Sequence, residues 1–442
     1  MTRNKSLKPL LLAAIVGGTG QAQAYALYET TDTHLNFDLS AMYGLFHSQE
    51  NYNVAGVKDR GTSKWTEGVL KYGFSGDHKL GENGSVYGAF SLASSATWGS
   101  DGDAAGWTNG TERTTKIEDA KLGWRSGSLF PVLGEDGIDI STGRQNIVIG
   151  DGFLVAGDAL NLGKSISDGL YNRGGAYYLT PRRNFDETLV LRIGGKEGWR
   201  GDLMKIKSDN RSQGMPEFYA ATLEHVTAPA TFGLTYLDVT DIDEAYASSA
   251  QLDRKDMKVW SVRGQGNAGV ENLFLSAEYA WQEKRSSRDE NAWYAEAGWK
   301  FSEVPFQPYV SYRFSRFSEG YDPLFYGNTR GYGTWFQGEV ASNYAGPFST
   351  NTRIHNIGAK ITPSKSLEVG LQWFDFQTLD KSRGDLNARE LDLYLNWTVT
   401  PNLSVMPLVG LYTPDKSAQD GGTQLGSNDS NLYSQLIFAF TY

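Results

Sequence analysis

Hydrophobic and polar residues alternate with period two along most of the chain. In the first long run Leu35, Phe37, Leu39, Ala41, Tyr43 and Leu45 share one face, and Asn36, Asp38, Ser40 and Gly44 share the other. The pattern returns in Val86, Gly88, Phe90, Leu92, Ala96 and Trp98, then in Leu273, Leu275, Ala277, Tyr279 and Trp281. It returns again in Trp293, Ala295, Ala297, Trp299 and Phe301, and in Leu391, Leu393, Leu395, Trp397 and Val399. Alternation of this kind predicts β-strands with one apolar and one polar face. The chain holds roughly eighteen such runs of about 9–15 residues, long enough to cross a bilayer when tilted. Their predicted spans are 33–46, 62–76, 84–98, 113–126, 137–147, 170–180, 187–195, 216–226, 230–240, 255–266, 272–284, 289–301, 306–316, 352–362, 366–378, 386–399, 402–412 and 431–442.

The last run reaches the final residue. Leu432, Leu436, Phe438, Phe440 and Tyr442 lie on one face, against Tyr433, Gln435, Ile437, Ala439 and Thr441. A soluble sheet edge gains nothing from such a row, whereas a closed membrane barrel pairs both edges of the strand and turns the apolar face to lipid. Phe438, Phe440 and Tyr442 also resemble the C-terminal signal read by the outer-membrane barrel assembly machinery. Connections mostly alternate in length, with short exceptions near 285–288 and 379–385. Thr227-Ala-Pro229, Ser302-Glu-Val-Pro305, Thr362-Pro-Ser-Lys365 and Thr400-Pro401 are short, while 47–61, 99–112, 148–169, 196–215, 317–351 and 413–430 are long and polar. The expected fold is therefore all-β: a transmembrane antiparallel β-barrel of about 18 strands, with short periplasmic turns and long extracellular loops.

The N-terminus adds an address. Arg3, Lys5 and Lys8 precede the apolar run Pro9 to Gly18, and Ala22-Gln23-Ala24 fits a small-x-small cleavage site. Residues 1–24 read as a signal peptide and 25–442 as one barrel domain placed in the bacterial outer membrane. No other stretch is apolar enough for a membrane helix. There are no cysteines, which excludes thiolate chemistry and disulfide staples. The formal charge is −10, and loss of the signal's three basic residues gives −10 − 3 = −13, which argues against a nucleic-acid partner.

Candidate chemistry lies on the inward face. Arg125, Arg192, Arg263 and Arg313 alternate with lipid-facing neighbours, and guanidinium at mid-membrane on the lipid face is costly. Glu278, Glu296 and Asp392 are inward acids. These charges either pair to solvate a polar interior or, where arginine dominates, favour anions. Strict alternation would turn Arg144, in Asp139-Ile-Ser-Thr-Gly-Arg-Gln145, towards lipid; a bulge near Gly143 turns it inward, or it sits at the rim. The insert 317–351 is far longer than a usual connection, so it is expected to act, through Tyr321, Asp322, Phe325, Trp335 and Glu339, as a gating loop folded into the pore. His34, His47, His78, His225 and His355 show no metal spacing, and no nucleophile elbow or P-loop is present. The acidic loop Asp238 to Glu244 lacks the EF-hand pattern and reads as a solvated loop. No cofactor or metal is expected.

Gly143-Arg144-Gln145, together with Phe336-Gln-Gly-Glu-Val-Ala-Ser-Asn343 before the last strands, resembles the alginate-export family of outer-membrane porins. The resemblance implies a monomeric barrel with an arginine-lined, anion-selective pore partly closed by loops, and it places Arg144 at the constriction. The function expected is passive passage of anionic or small polar organic solutes, uronate-type saccharides among them. The partners expected are outer-membrane lipid and lipopolysaccharide, the assembly machinery and the solute. The alternative reading is an outer-membrane enzyme or surface-loop binding barrel with a closed pore.

Overall fold

The computed structural model describes residues 25–52, 58, 61–100, 102–158, 174–285, 288–327, 329–330, 338–422, 424 and 426–442. Residues 1–24, expected to be a signal peptide, and Trp335 lie outside them. The first strands are β1 (Tyr25–Glu29), β2 (Thr33–Ser48), β3 (Ser63–Lys79), β4 (Ser85–Trp98), β5 (Arg113–Arg125) and β6 (Ile138–Gln145). Then come β7 (Phe185–Ile193), β8 (Gly198–Lys207), β9 (Glu217–Val226), β10 (Ala230–Asp241), β11 (Lys258–Gly266), β12 (Leu273–Glu283) and β13 (Glu290–Lys300). The series ends with β14 (Tyr309–Phe317), β15 (Thr352–Ser364), β16 (Leu367–Thr378), β17 (Ala388–Thr400), β18 (Leu403–Pro414) and β19 (Asn431–Thr441).

Each strand pairs antiparallel with the next, and β19 returns to β2 from Tyr433 opposite Ser48 to Thr441 opposite Ser40. With β1 outside the ring, the closed barrel has 19 − 1 = 18 strands. Closure removes both sheet edges. β2 is longer than β19 can cover. β1 folds back over the uncovered part, Tyr25 opposite Phe37 and Glu29 opposite His34, and the Tyr25 ring stacks on Tyr442 at 6.3 Å.

The two faces separate as a bilayer demands. Outward side chains such as Leu122, Phe232 and Leu234 are exposed, while Val190, Ile206, Ala280 and Tyr433 on the inward face are buried. One end carries short turns, among them 227–229, 365–366 and 401–402, and the other carries the long loops. Phe440 and Tyr442 are outward and exposed at the short-turn end.

Two expected strands differ, and the differences offset in the count. The described part of 170–180 is not a strand: Gly174, Gly175, Ala176 and Thr180 all take left-handed φ. Its Tyr177, Tyr178 and Leu179 are strand-like because they pack inside the barrel, where the Tyr178 ring lies 4.9 Å from Trp65 and 5.5 Å from Phe46. β8 falls instead within the expected loop 196–215. Its outward face, Trp199, Gly201, Leu203, Lys205 and Lys207, ends in two lysines that hide its apolar half. The strand near 187–195 therefore runs from the long-loop end to the short-turn end, opposite to its expected sense.

Candidate functional site in the lumen

Antiparallel register sets inward side chains on neighbouring strands directly opposite one another, about 5 Å apart at Cβ. Two rows of alternating charge result. Arg125 on β5, Asp139 on β6, Arg192 on β7 and Asp202 on β8 are successive partners. Arg125 Nε is 3.2 Å from Asp139, and Arg192 lies 3.9 Å from both Asp139 and Asp202. Tyr87 donates to Asp139 at 2.6 Å and lies under the Arg125 guanidinium at 4.1 Å. The second row runs Arg200, Glu224, Gly233, Arg263 and Glu278 across β8 to β12. Arg200 and Arg263 both grip Glu224, at 2.5 and 2.6 Å. Arg263 does so over Gly233, where a Cβ would meet its guanidinium at 2.7 Å.

In three of the lumen ion pairs the acid is recessed and the cation projects, whereas Arg263 and Glu224 are both nearly buried and Arg192 and Asp202 are about equally exposed. Arg125 is 43 % exposed and Asp139 14 %; Arg200 is 43 % exposed and Glu224 13 %; Lys71, 2.7 Å from Asp119, is 37 % exposed against 17 %. Short carboxylates lie against the wall, and long basic side chains reach past them.

The long-loop half is filled. The described part of 318–351 crosses the lumen, touching inward residues of strands on several sides. Phe325 packs on Phe185 and Phe218, at 5.0 and 5.6 Å between ring centroids, and forms a parallel bridge with Val155. Asp322 pairs with Arg254 at 2.6 Å. Burial works to raise the Asp322 carboxyl, but Arg254 outweighs it and holds it below the usual range. Arg330 bridges Asp151 and Glu296 at 2.8 and 3.1 Å. The short turn from Glu339 docks on β17: Val340 and Ala341 N–H donate to Glu390, and Glu339 N–H donates to Asp392. Burial and the facing Glu390 push the Glu339 carboxyl up to about 8. Tyr344 hydroxyl meets Ser48 and Asn431 at the β2–β19 seam. Tyr321, Asp322, Phe325 and Glu339 are all buried.

The sequence-expected residues thus divide. Arg125 and Arg192 stand half-exposed in the lumen, and Arg263 lies beneath the loop residue Gly150. Arg313 is buried 3.8 Å from the partly buried Glu296 under Arg330, and Asp392 is buried against the docked loop. Arg144 follows a left-handed Gly143 (φ +103°), and the register shifts between Gly143 and Gln145. Its guanidinium is buried between Asp186 at 2.6 Å and Asp209 at 3.0 Å, so it does not present itself to an open constriction. Arg182 extends this knot to Glu118 and Asp209. Sequence reading missed Arg200 and Asp202 because β8 was taken for a loop. Asp139 and Glu224, also missed, alternate inward, but their pairing with the arginines is set by register between strands and not by spacing along one.

No family model matches the chain, and no curated protein matches it in sequence. Solved structures do match in shape. Pseudomonas aeruginosa OccK5 (OpdH) gives a TM-score of 0.57 at 9 % identity, with 92 % of this chain and 97 % of that chain covered. OpdQ of the same organism gives 0.57 at 10 %, with the same coverage, and Acinetobacter baumannii OccAB2 gives 0.55 at 11 %, covering 92 % and 98 %. At these identities the likeness is one of fold: the chain is built as a closed eighteen-strand barrel of the outer-membrane porin type.

Proposed function

We propose that the protein is a passive outer-membrane channel for anionic or small polar organic solutes. The observation that carries this reading is the exposure difference within the lumen ion pairs. A solute entering the short-turn half meets the ends of Lys71, Arg125 and Arg200 before their carboxylate partners, with Arg192 exposed beside them. Fixed cationic ends in a confined lumen raise local anion concentration. Uronate-type saccharides fit this chemistry, since guanidinium grips carboxylates bidentately and the lumen also offers tyrosine, serine and threonine hydroxyls. The alginate-export reading rests on the two short motifs alone.

The described parts of 146–184 and 318–351, packed across the long-loop half, favour a gated channel, and they are also the feature that supports the closed-pore binding barrel. Planar-bilayer conductance separates the two. The channel reading expects single-channel steps that grow when 321–345 is deleted, and a reversal potential in asymmetric KCl that reports chloride preference. Absence of conductance even after that deletion sinks the channel; cation preference sinks the role of the arginines.

A further inference from the structure

The outward face at the long-loop end holds a cationic pair that the channel does not use. On β14 Val310, Tyr312, Phe314 and Arg316 alternate outward; on β15 Arg353, His355, Ile357 and Ala359 do the same. Register sets Arg316 directly opposite Arg353, and Phe314 opposite His355 one step nearer the apolar belt. Like charges facing across strands repel. No carboxylate among the described residues lies within ion-pair distance of either arginine. Both are held by neutral side-chain amides: Arg316 donates to Asn291 Oδ1 at 3.3 Å, and Arg353 donates from Nε at 2.8 Å and Nη2 at 2.5 Å to Gln377 Oε1. Gln377 in turn donates to Asp375 at 2.7 Å, and Asp375 faces Arg389 at 4.0 Å.

The surroundings point to what neutralises the pair. Trp293 and Phe314 lie 5.1 Å apart, and His355 lies 4.9 Å from Phe314 and 2.8 Å from the Tyr312 hydroxyl. Below them the exposed Tyr312, Ile357 and Leu371 begin the apolar belt. An aromatic girdle marks the headgroup level of a barrel wall. Arg316 and Arg353 stand level with Trp293 and one step above Phe314 and His355, at the upper edge of that girdle where lipid phosphates lie, and arginine binds phosphate through paired donors.

We infer that Arg316 and Arg353 form a binding site for a phosphorylated lipid headgroup in the leaflet at the long-loop end, with Gln377 and Asn291 presenting the guanidinium groups and the Trp293–Phe314–His355 cluster flanking the uppermost acyl segments. The site rests on the barrel sitting in a membrane with its long loops outward, and is independent of whether it conducts. Bridging by one phosphate cancels the cross-strand repulsion and uses the N–H groups that the amides leave free.

The test is native mass spectrometry of the whole signal-processed barrel in a nonionic detergent, with bis-phosphorylated lipid A and its dephosphorylated counterpart as probes. The expected result is a retained adduct with the phosphorylated lipid and at least ten-fold weaker retention of the dephosphorylated one. Because that comparison uses the unaltered protein, it stands even where a variant fails to insert. The R316Q/R353Q double variant should lose the adduct by a similar factor, and R285Q, which removes an exposed rim arginine paired with Asp256, should keep it. Millimolar inorganic phosphate should not displace the lipid. Equal retention of both lipids, equal retention by the double variant, equal loss in R285Q, or displacement by free phosphate overturns the site; the last would make it a site for the free anion. The measurement reads no conductance, so its failure and failure of the channel reading are distinguishable.

Discussion

Arg263 on β11 reaches across an entire intervening strand to Glu224 on β9, with Nη2 2.6 Å from Oε1, because the residue between them is Gly233. Valine at 233 would occupy the space of the guanidinium. Displacing Arg263 from a nearly buried pair and overpacking the wall should cost about 1–3 kcal/mol. Gly233→Val should therefore lower the temperature at which the barrel loses its compact migration on unheated gels. Gly233→Ala, which meets only the flexible end of the arginine, should lower it much less.

Charge removal in the short-turn half tests the selectivity directly. Arg125, Arg192 and Arg200 are each about two-fifths exposed, so their substitution should leave the fold intact. An exposed unit charge acts with about 1 kcal/mol at 4 Å in water. The triple alanine variant should lower the chloride-over-potassium permeability ratio by roughly five-fold or more. An unchanged reversal potential would remove these residues from the ion path.

Arg144 should behave otherwise. Its substitution by alanine strands Asp186 and takes from Asp209 the closer of its arginines, both acids being about a third exposed. The cost should be about 2–3 kcal/mol, below the ~3–5 kcal/mol of breaking a fully buried pair, because water screens the two acids. The expected signature is faster proteolysis within 146–184 and noisier conductance, with selectivity little changed.

Docking of the 338–346 turn should depend on pH. Glu339 has its carboxyl raised to about 8 when docked, against an ordinary value of 4.5. A raised acid favours the docked state most below 4.5, and that advantage is lost as pH climbs through about 8. Hydrogen exchange of the Val340 and Ala341 amides should accelerate over this window at constant intrinsic rate. Glu339→Gln should flatten the response, and a wild-type-like slope in that variant would count against Glu339 as its source.

Phe325→Ala deletes a fully buried ring held by Phe185 and Phe218. Such a deletion typically costs about 3–5 kcal/mol. The loss should fall on loop docking rather than on the wall, so conductance should rise while heat-modifiable migration stays unchanged.

Much of the wall was legible because lipid enforces alternation: β2, β12, β13 and β17 each read directly from their apolar faces. β8 was not, since Lys205 and Lys207 lie on its outward face and pair with Glu217 and Glu187 at the rim, where water replaces lipid. The segment at 174–180 misled for the opposite reason, since interior packing rewards the same tyrosines and leucines that lipid does. Arg144 was found through its motif, but its role could not be read there. Whether an arginine lines a path or ties down a loop depends on Asp186 and Asp209, which only the fold brings to it. Alternation reports the face of a residue and not its partner.

The seam between β2 and β19 has a kinetic consequence. Ser48 and Asn431, hydrogen-bonded there, are separated by 383 residues, whereas the other strand pairs of the ring join sequence neighbours. Hairpins can form one after another at small entropic expense, but the ring must wait for its most distant ends to meet. Until then β2 presents a bare edge, open to pairing with another chain. Tyr344, bonded to both Ser48 and Asn431, and Tyr25, stacked on Tyr442, can lock only after that meeting. They act as latches on a finished ring, slowing its reopening without hastening its closure.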